Sequence, residues 1–259
     1  MEINKIYNEN CLETMARMPD GFVDLTVTSP PYDNLRNYNG YSFDFEAVAK
    51  ELYRVTKQGG VVVWVVGDAT IKGSETGTSF RQALYFKELG FNLHDTMIWI
   101  KDGGGAVGSN KCYTQNFEYM FIFSKGKIST TNLIYDKPNA SFGKHRCEVR
   151  IGRRLVTGEH KIEKRKPSAA FSRRNNYWYI PQQKGEHPAV FPELLANDHI
   201  ISWSNEGDLV YDPFMGSGTT AKMAIANKRN WVGSEISKEY CEIAEKRINE
   251  IMILGGRGE

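Results

Sequence analysis

The fold is decided by the stretch Asp208–Ile236, DLVYDPFMGSGTTAKMAIANKRNWVGSEI. An apolar strand at its start leads into a turn that contains Gly216 and Gly218, and a helical pattern follows. This order is typical of the nucleotide-binding half of an α/β sheet, because glycine lets the backbone turn sharply and lets a ligand approach the main chain. The start of the helix also offers free N–H groups that suit a carboxylate.

An acidic residue, Glu235, follows Gly216 by 19 residues, at the end of the next predicted strand. A spacing of about 20 residues is typical of an acid that accepts hydrogen bonds from ribose hydroxyls. The turn lacks the Gly-Lys-Ser/Thr sequence of a P-loop, which argues against phosphate transfer. The alternative is a turn kept for packing, with Glu235 as a surface charge. Strand, glycines, helix and spaced acid together favour a nucleoside ligand.

Short apolar runs alternate with helical patterns along most of the chain, which predicts an α/β fold with a mostly parallel sheet. The two strands on either side of GGGAVGSNKCYTQ have no helical pattern between them, so we expect them to be antiparallel. The seven predicted strands are Lys5–Tyr7, Val23–Thr28, Val61–Val66, Thr96–Lys101, Glu118–Ser124, Asp208–Tyr211 and Trp231–Ser234. The six predicted helices are Leu12–Met18, Phe45–Thr56, Phe80–Leu89, Pro192–Trp203, Thr219–Lys228 and Lys238–Leu254.

A second informative turn, Ser29-Pro30-Pro31-Tyr32, follows an apolar strand in VDLTVTSPPYDNL. The prolines fix the backbone and remove two N–H donors, which leaves the Ser29 hydroxyl and the Pro30 carbonyl as stiff acceptors beside an aromatic ring. Two such acceptors can hold the hydrogens of an exocyclic amine and direct its lone pair at a methyl group. Tyr32 can stack on a base extracted from a duplex. By itself Pro-Pro after a strand indicates only a turn, so this hypothesis requires that folding bring the two turns together.

The charge distribution is uneven. From Lys137 to Lys184 the chain has 13 Lys+Arg and 3 Asp+Glu, whereas the remainder has 20 and 28. A basic block on an acidic body is what an insert that binds a polyanion looks like, although an isolated charge run is more often a solvated loop.

The overall composition is that of a globular protein: 259 residues, 41% hydrophobic and 25% charged. No run approaches the roughly 18 apolar residues of a membrane span, and we expect no signal peptide. The four cysteines are scattered, without zinc or disulfide spacing, which fits a reducing cytosol. We therefore expect a cytoplasmic protein.

The motifs TSPPY and DPFMGSGTT resemble the catalytic and cofactor motifs of the DNA amino-methyltransferase family, in the beta-class arrangement that places the catalytic motif first. Four further segments resemble the family: NENCLETM (Asn8–Met15), LYRVTKQGG (Leu52–Gly60), FEYMFIFSKG (Phe117–Gly126) and HPAVFPELL (His187–Leu195). The likeness covers nearly the whole chain outside Asp136–Tyr179. It implies a Rossmann-like methyltransferase fold with permuted motif order, in which a catalytic half, 1–135, and a cofactor-binding half, 181–259, flank a basic target-recognition insert, 136–180. It also implies a source in a bacterium, an archaeon or a phage.

The resemblance also implies the ligands and their residues. The cofactor is S-adenosylmethionine, converted to S-adenosylhomocysteine, without a metal, and the substrate is duplex DNA. The implied catalytic residues are Ser29, Pro30, Pro31 and Tyr32. The implied cofactor-binding residues are Asn10, Cys11, Phe191, Pro192, Asp212, Phe214, Gly216, Ser217, Gly218, Thr219 and Glu235, with Asn10 standing where the family usually has Asp. The candidate DNA-binding residues are Arg150, Arg153, Arg154, Lys164, Arg165, Lys166, Arg173 and Arg174.

The target base is left open by these residues. Ser at the first catalytic position resembles the branch that methylates the 4-amino group of cytosine, and the 6-amino group of adenine is the alternative. Ring-carbon methylation of cytosine is disfavoured, because it needs a cysteine nucleophile, usually after proline, and no cysteine here follows one. Methylation of RNA or of a protein amide, and DNA binding without catalysis, are further alternatives. A homodimer and a separate cognate endonuclease of a restriction–modification pair also stay open.

Overall fold

The computed structural model describes residues 1–31, 43–102, 113–140, 142, 149–154, 160–164, 169–182 and 191–255, of which 149–154, 160–164 and 254–255 are described by their backbone. Among these residues the helices are α1 (Cys11–Ala16), α2 (Phe45–Val55), α3 (Thr78–Glu88), α4 (Glu193–Trp203), α5 (Thr219–Ala226) and α6 (Lys238–Gly255). The strands are β1 (Lys5–Tyr7), β2 (Val23–Thr28), β3 (Thr56–Val66), β4 (Thr70–Ile71), β5 (Ser74–Glu75), β6 (Asn92–Ile100), β7 (Phe117–Ser124), β8 (Lys137–Pro138), β9 (Val149–Arg154), β10 (His160–Lys164), β11 (Phe171–Ser172), β12 (Tyr177–Tyr179), β13 (Leu209–Asp212) and β14 (Asn230–Ser234).

The chain divides into two compact units, one formed by Met1–Asn132 with Asn176–Glu259 and the other by Leu133–Asn175. The first unit contains an eight-stranded sheet in the order β1-β14-β13-β2-β3-β7-β6-β12. β7 runs antiparallel to both of its neighbours, and the other adjacent strands are parallel. The predicted α/β fold, its mostly parallel sheet and the antiparallel pair of β6 and β7 are therefore confirmed.

The seven predicted strands all belong to this sheet, and the structure adds β12 to it as an eighth. Its three residues pair in parallel with β6, Tyr177 opposite Ile98 and Tyr179 opposite Ile100. Trp178 points to the other side of the sheet, where it is buried and its ring lies 4.6 Å from that of His199. These residues stand at the end of a polar, basic segment, so pairing with β6 and burial of Trp178 select this strand.

The centre of the sheet is buried, and helices cover it on at least one face. In β3 every residue from Val61 to Val66 is almost completely buried, as the continuous apolar run predicted. On one face Trp64 packs with Met15 of α1, Leu52 of α2 and Phe86 of α3 in a single hydrophobic cluster. No helix among the described residues is long and apolar enough to cross a membrane.

The second unit contains two small antiparallel pairs. β9 pairs with β10, with Arg150 opposite Glu163 and a register irregularity between His160 and Ile162. β8 pairs with β11, with Lys137 opposite Ser172. The basic segment identified in the sequence therefore forms hairpin-like structure where it is described.

Candidate active site

The proline turn and the glycine turn lie next to each other at one edge of the sheet. They follow β2 and β13, which are adjacent parallel strands with Leu25 opposite Val210. At the carboxyl ends of these strands the Thr28 hydroxyl donates a hydrogen bond of 2.7 Å to Oδ1 of Asp212. The pairing of the strands and this hydrogen bond bring the starts of the two turns together, as the hypothesis requires. Ligands of open α/β sheets bind at the carboxyl ends of the strands, which is where both turns lie.

Asp212 organises the glycine turn through its carboxylate. Oδ1 also accepts from the Phe214 N–H at 3.0 Å, and Oδ2 accepts from the Thr220 hydroxyl at 2.7 Å. Burial raises the pKa of this carboxyl to about 6, against the lowering effect of the bonds from Thr220, Thr28 and Phe214. The carboxylate is thus used to join β2, the turn and α5, and a direct contact with a cofactor stays a prediction.

The glycine turn has a conformation and a packing that only glycine fits well. Gly218 has φ +78°, in the left-handed region. A Cβ placed on it would lie 2.8 Å from the Cβ of Ala244 in α6. The turn is also tied to β14, because the Met215 N–H donates to the Ser234 carbonyl at 2.9 Å. α5 begins after Gly218, and among the described residues no side-chain hydrogen bond caps its first turn.

Glu235 faces the glycine turn from the end of β14. Its Oε2 accepts from the Gly216 N–H at 2.8 Å, and its Oε1 accepts from the Ser237 N–H at 2.8 Å. Burial raises the pKa of Glu235, opposed by these backbone hydrogen bonds. Each carboxylate oxygen has two lone pairs, so both retain capacity for a further donor such as a hydroxyl.

Two residues beside Glu235 were not singled out from the sequence. Ile236 is 46% exposed and presents an apolar surface directly after the acid. The Asn8 side-chain amide donates to the carbonyls of Glu235 and Ile236 at 2.9 and 3.0 Å, and so fixes this turn. The adjacency of β1 and β14 brings Asn8 there, and no spacing in the sequence could have indicated it.

Of the predicted catalytic residues, Ser29 and Pro31 are half-buried and Pro30 is buried. Tyr32 lies outside the described residues, so its stacking role stays a prediction. Ser29 directly follows Thr28, the residue bonded to Asp212.

The other predicted cofactor residues lie on neighbouring elements. Asn10 caps α1, since its Oδ1 accepts from the Leu12 N–H at 2.9 Å. Cys11 is buried, which raises the pKa of its thiol to about 12, so it is not a nucleophile at neutral pH.

The remaining predicted cofactor residues lie before α4 and in the glycine turn. Half-buried Phe191 and buried Pro192 precede α4. Half-buried Phe214 packs edge-on against Phe43 at 5.2 Å. Buried Ser217 and Thr219 both accept hydrogen bonds from Arg247 of α6.

The candidate DNA-binding residues have different environments where they are described. Arg173 is exposed. Arg174 forms an ion pair with Asp136, which holds the pKa of that carboxyl below its usual value. Arg150, Arg153 and Arg154 belong to β9 and Lys164 to β10, whereas Arg165 and Lys166 lie outside the described residues.

Comparison with known proteins agrees with this arrangement. Residues 23–246 match the sequence profile of the N6/N4 family described as DNA methylase. The orphan methyltransferase M.BamHII of Bacillus amyloliquefaciens is 60% identical over 253 residues, which cover 93% of this chain and 94% of that protein.

Two solved structures share the fold. The PvuII DNA methyltransferase, which is cytosine-N4-specific, superposes with a TM-score of 0.69 at 21% identity, covering 99% of this chain and 93% of its own. The M1.HpyAVI complex with S-adenosylmethionine superposes with a TM-score of 0.63 at 22% identity, covering 95% and 99%. From the family profile and the 60% identical relative, we conclude that this chain belongs to the N6/N4 DNA methylase family and is a DNA methyltransferase.

Proposed function

We propose that this protein transfers a methyl group from S-adenosylmethionine to the exocyclic 4-amino group of cytosine at specific sites in duplex DNA, with the target base flipped out of the helix. The observation that carries the proposal is the hydrogen bond between Thr28 and Asp212, which joins the ends of two adjacent strands. One strand leads into the turn with the amine-binding chemistry and the other into the turn with the cofactor-binding chemistry.

The residues around the glycine turn fit S-adenosylmethionine. Glu235 has acceptor capacity for the two ribose hydroxyls, and exposed Ile236 offers an apolar surface to the adenine ring. The start of α5 suits the carboxylate of the methionine part. When bound, the cofactor supplies an electrophilic methyl group on sulfur. There is no room for a Cβ at Gly218, because the turn packs closely against Ala244 of α6.

The proline turn supplies the chemistry for the base. The Ser29 hydroxyl and the Pro30 carbonyl accept hydrogen bonds from the two hydrogens of the amine. This grip pulls the nitrogen towards a tetrahedral geometry and directs its lone pair at the methyl group, so catalysis is by positioning and electrostatics. Tyr32 stacks on the extracted ring.

The roles of the turn are tested with Ser29→Ala and Tyr32→Ala, measured by transfer of labelled methyl groups to duplex DNA and by cofactor binding. We expect a loss of transfer of about 100-fold or more with cofactor binding retained, because Ser29→Ala removes a partner of the amine and Tyr32→Ala removes the surface on which the base stacks. The matched control is Thr26→Val on the same strand, since the buried Thr26 hydroxyl has no hydrogen-bond partner among the described residues. Full transfer by Tyr32→Ala would contradict the stacking role.

The target base is identified by mass spectrometry of nucleosides from treated DNA. The proposal of cytosine is supported by Ser29 at the first catalytic position, and it predicts N4-methylcytosine. Detection of N6-methyladenine would instead show that the target base is adenine. Competition by RNA that exceeds competition by duplex DNA would reassign the substrate, and tight DNA binding without transfer on any sequence would indicate a regulator.

We assign DNA recognition to the basic residues of the second unit. Exposed Arg173 is a better candidate for a phosphate contact than Arg174, whose guanidinium is paired with Asp136. We expect Arg173→Ala to weaken DNA binding and to reduce its salt dependence by the equivalent of about one phosphate contact, as measured by anisotropy titrations at several salt concentrations. Equal loss of cofactor affinity would contradict this role.

A homodimer is supported by an apolar face of the sheet. Tyr179 is 67% exposed and Tyr177 is 44% exposed, although both belong to a strand. Strand register aligns them with residues of β6 and β7 in two rows, Tyr177–Ile98–Tyr119 and Tyr179–Ile100–Phe117. A second copy is the proposed cover, and Tyr179→Asp is expected to convert a dimer into a monomer in sedimentation velocity. A wild-type monomer would refute this proposal.

The cellular context also stays a prediction. We place the protein in the cytoplasm, where its DNA substrate is. A separate cognate endonuclease is disfavoured by the name of the 60% identical relative, an orphan methyltransferase. Restriction activity in cell extract against unmethylated copies of the same site would show that an endonuclease exists.

A further inference from the structure

We propose that Arg247 is a positioning residue that sets the affinity for S-adenosylmethionine, because it holds the glycine turn against the start of α4. This inference rests on the proposed function, since it assigns the cofactor to that turn. Arg247 lies in α6, outside the motifs that indicate the site.

The guanidinium of Arg247 bonds to the turn at three atoms. Nη1 donates to the Ser217 carbonyl at 2.6 Å, to the Ser217 hydroxyl at 2.8 Å and to the Thr219 hydroxyl at 3.2 Å. The contact therefore spans the last residues of the turn and the first residue of α5. It fixes the end of the glycine turn relative to the start of α5.

The other end of the guanidinium reaches a different segment. Nη2 of Arg247 donates to Oε1 of Glu193 at 2.8 Å, and Lys222 of α5 donates to the same oxygen at 2.7 Å. Glu193 begins α4, immediately after Phe191 and Pro192, which are predicted to line the cofactor site. One side chain therefore joins two segments of the proposed pocket that are far apart in sequence.

The partial burial of this pair makes it stronger than a surface ion pair. The Arg247 and Glu193 side chains are 23% and 30% exposed. Burial alone would raise the pKa of Glu193, but its hydrogen bonds and charge interactions with Lys222 and Arg247 outweigh burial and lower that pKa. The carboxylate is thus ionised at neutral pH and bonded to both cations, which is the stronger kind of hydrogen bond.

A neighbouring contact explains why the turn responds to this side chain. Ala244, three residues before Arg247 on the same helix, packs against Gly218. α6 therefore limits the turn on one side by contact, and Arg247 draws it to α6 by hydrogen bonds. Without Arg247 the turn can move away from α6, so part of the free energy of cofactor binding would be needed to bring the turn back into its binding position.

A general structural role for a half-buried arginine is the alternative, and the chain offers a matched control. Arg229 donates to the Ser204 carbonyl at 2.7 Å and to the Ser204 hydroxyl at 3.1 Å, at the end of α4. Like Arg247, it secures a serine on another segment, but it lies just before β14, at the opposite end of that strand from Glu235. Loss of either arginine is expected to lower the free energy of unfolding, but only loss of Arg247 is expected to weaken cofactor binding.

The test compares Arg247→Met, Arg247→Lys and Arg229→Met in the full chain. Cofactor Kd is measured by calorimetry with S-adenosylmethionine and S-adenosylhomocysteine, and KM and kcat are measured at saturating DNA. For Arg247→Met we expect Kd and the cofactor KM to rise together by about 10–100-fold, with kcat and DNA affinity within about twofold, because only the preorganisation of the binding turn is lost. Lysine recovers part of the affinity, because an ammonium can keep one of the two contacts but not the fork. Arg229→Met keeps the wild-type Kd.

Glu193→Gln carries the test if Arg247→Met fails to fold. It removes the charge that holds the guanidinium, so it is expected to weaken cofactor binding. Its effect and that of Arg247→Lys should be non-additive in the double variant, because both act through one contact.

Three outcomes overturn the inference: a wild-type Kd in both Arg247→Lys and Glu193→Gln, additive effects in the double variant, or an equal loss of affinity in Arg229→Met. A wild-type protein that binds no S-adenosylmethionine would instead refute the proposed function. The two failures are therefore distinguishable.

Discussion

Replacement of Gly218 by alanine is expected to have two separable costs. The first is conformational, since the residue has φ +78°, where an L side chain costs about 1–2 kcal/mol. The second is steric, since the new Cβ would lie 2.8 Å from Ala244 Cβ and 3.2 Å from Ala244 Cα, and overpacking of this kind costs about 1–3 kcal/mol. The sum is about 2–5 kcal/mol of unfolding free energy, measured by urea denaturation.

Gly207→Ala measures the first cost alone. Gly207 has φ +85°, and a Cβ placed there would meet no atom within 4 Å, so its replacement should cost only the conformational part, about 1–2 kcal/mol. The double variant Gly218→Ala/Ala244→Gly should be less destabilised than the sum of its single variants, because it removes the contacting methyl group. Equal destabilisation by Gly218→Ala and Gly207→Ala would refute the claim that α6 is packed against the turn.

Three further predictions concern the carboxylates of the site. Glu235→Gln places an amide group against one of the two N–H donors, such as that of Gly216, and should raise the cofactor Kd about 10–100-fold in calorimetry; an unchanged Kd would contradict the role of the acid. Thr28→Val removes a donor to buried Asp212 and should lower the free energy of unfolding in urea by about 1–3 kcal/mol. Thr26→Val should change it very little, and equal losses in the two variants would contradict the contact between Thr28 and Asp212. Because the folded-state pKa of Asp212 is raised to about 6, the folded state binds this proton more tightly than the unfolded state, and the stability contributed by protonation is lost as pH rises from about 4 to about 6. The free energy of unfolding of the wild type should therefore fall by up to about 3 kcal/mol relative to that of Asp212→Asn over this pH range. A difference in unfolding free energy that does not change with pH would exclude the raised pKa.

The sequence predicted the helices and strands that contain a recognisable apolar pattern. All six predicted helices and all seven predicted strands are present. The strand β12 was missed because its three residues stand in a polar context and are selected by pairing with β6 and by burial of Trp178. The ends of the elements shifted by a few residues, as in β3, which begins at Thr56 rather than Val61.

The site was predictable to the extent that its chemistry is local. The glycine turn, the proline turn and Glu235 were found because their spacing is short or matches one strand–helix–strand unit. Asn8 and Arg247 were not found, because each acts on a segment that is distant in the chain: Asn8 lies 227 residues from Glu235, and Arg247 lies 54 residues from Glu193. Polar residues on an edge segment or a helix surface carry no pattern that would identify such partners.

The pairing of β2 with β13 also has a consequence for biosynthesis. The atoms that join these strands belong to residues 184 positions apart, so the amino-terminal half leaves the ribosome with β2 unpaired on that side. At about 5–20 residues per second, the missing neighbour follows after roughly 10–40 seconds. During that interval a row of apolar side chains and unsatisfied amides is open to association with other nascent chains, so the yield of native enzyme should depend on chaperones that shield this edge.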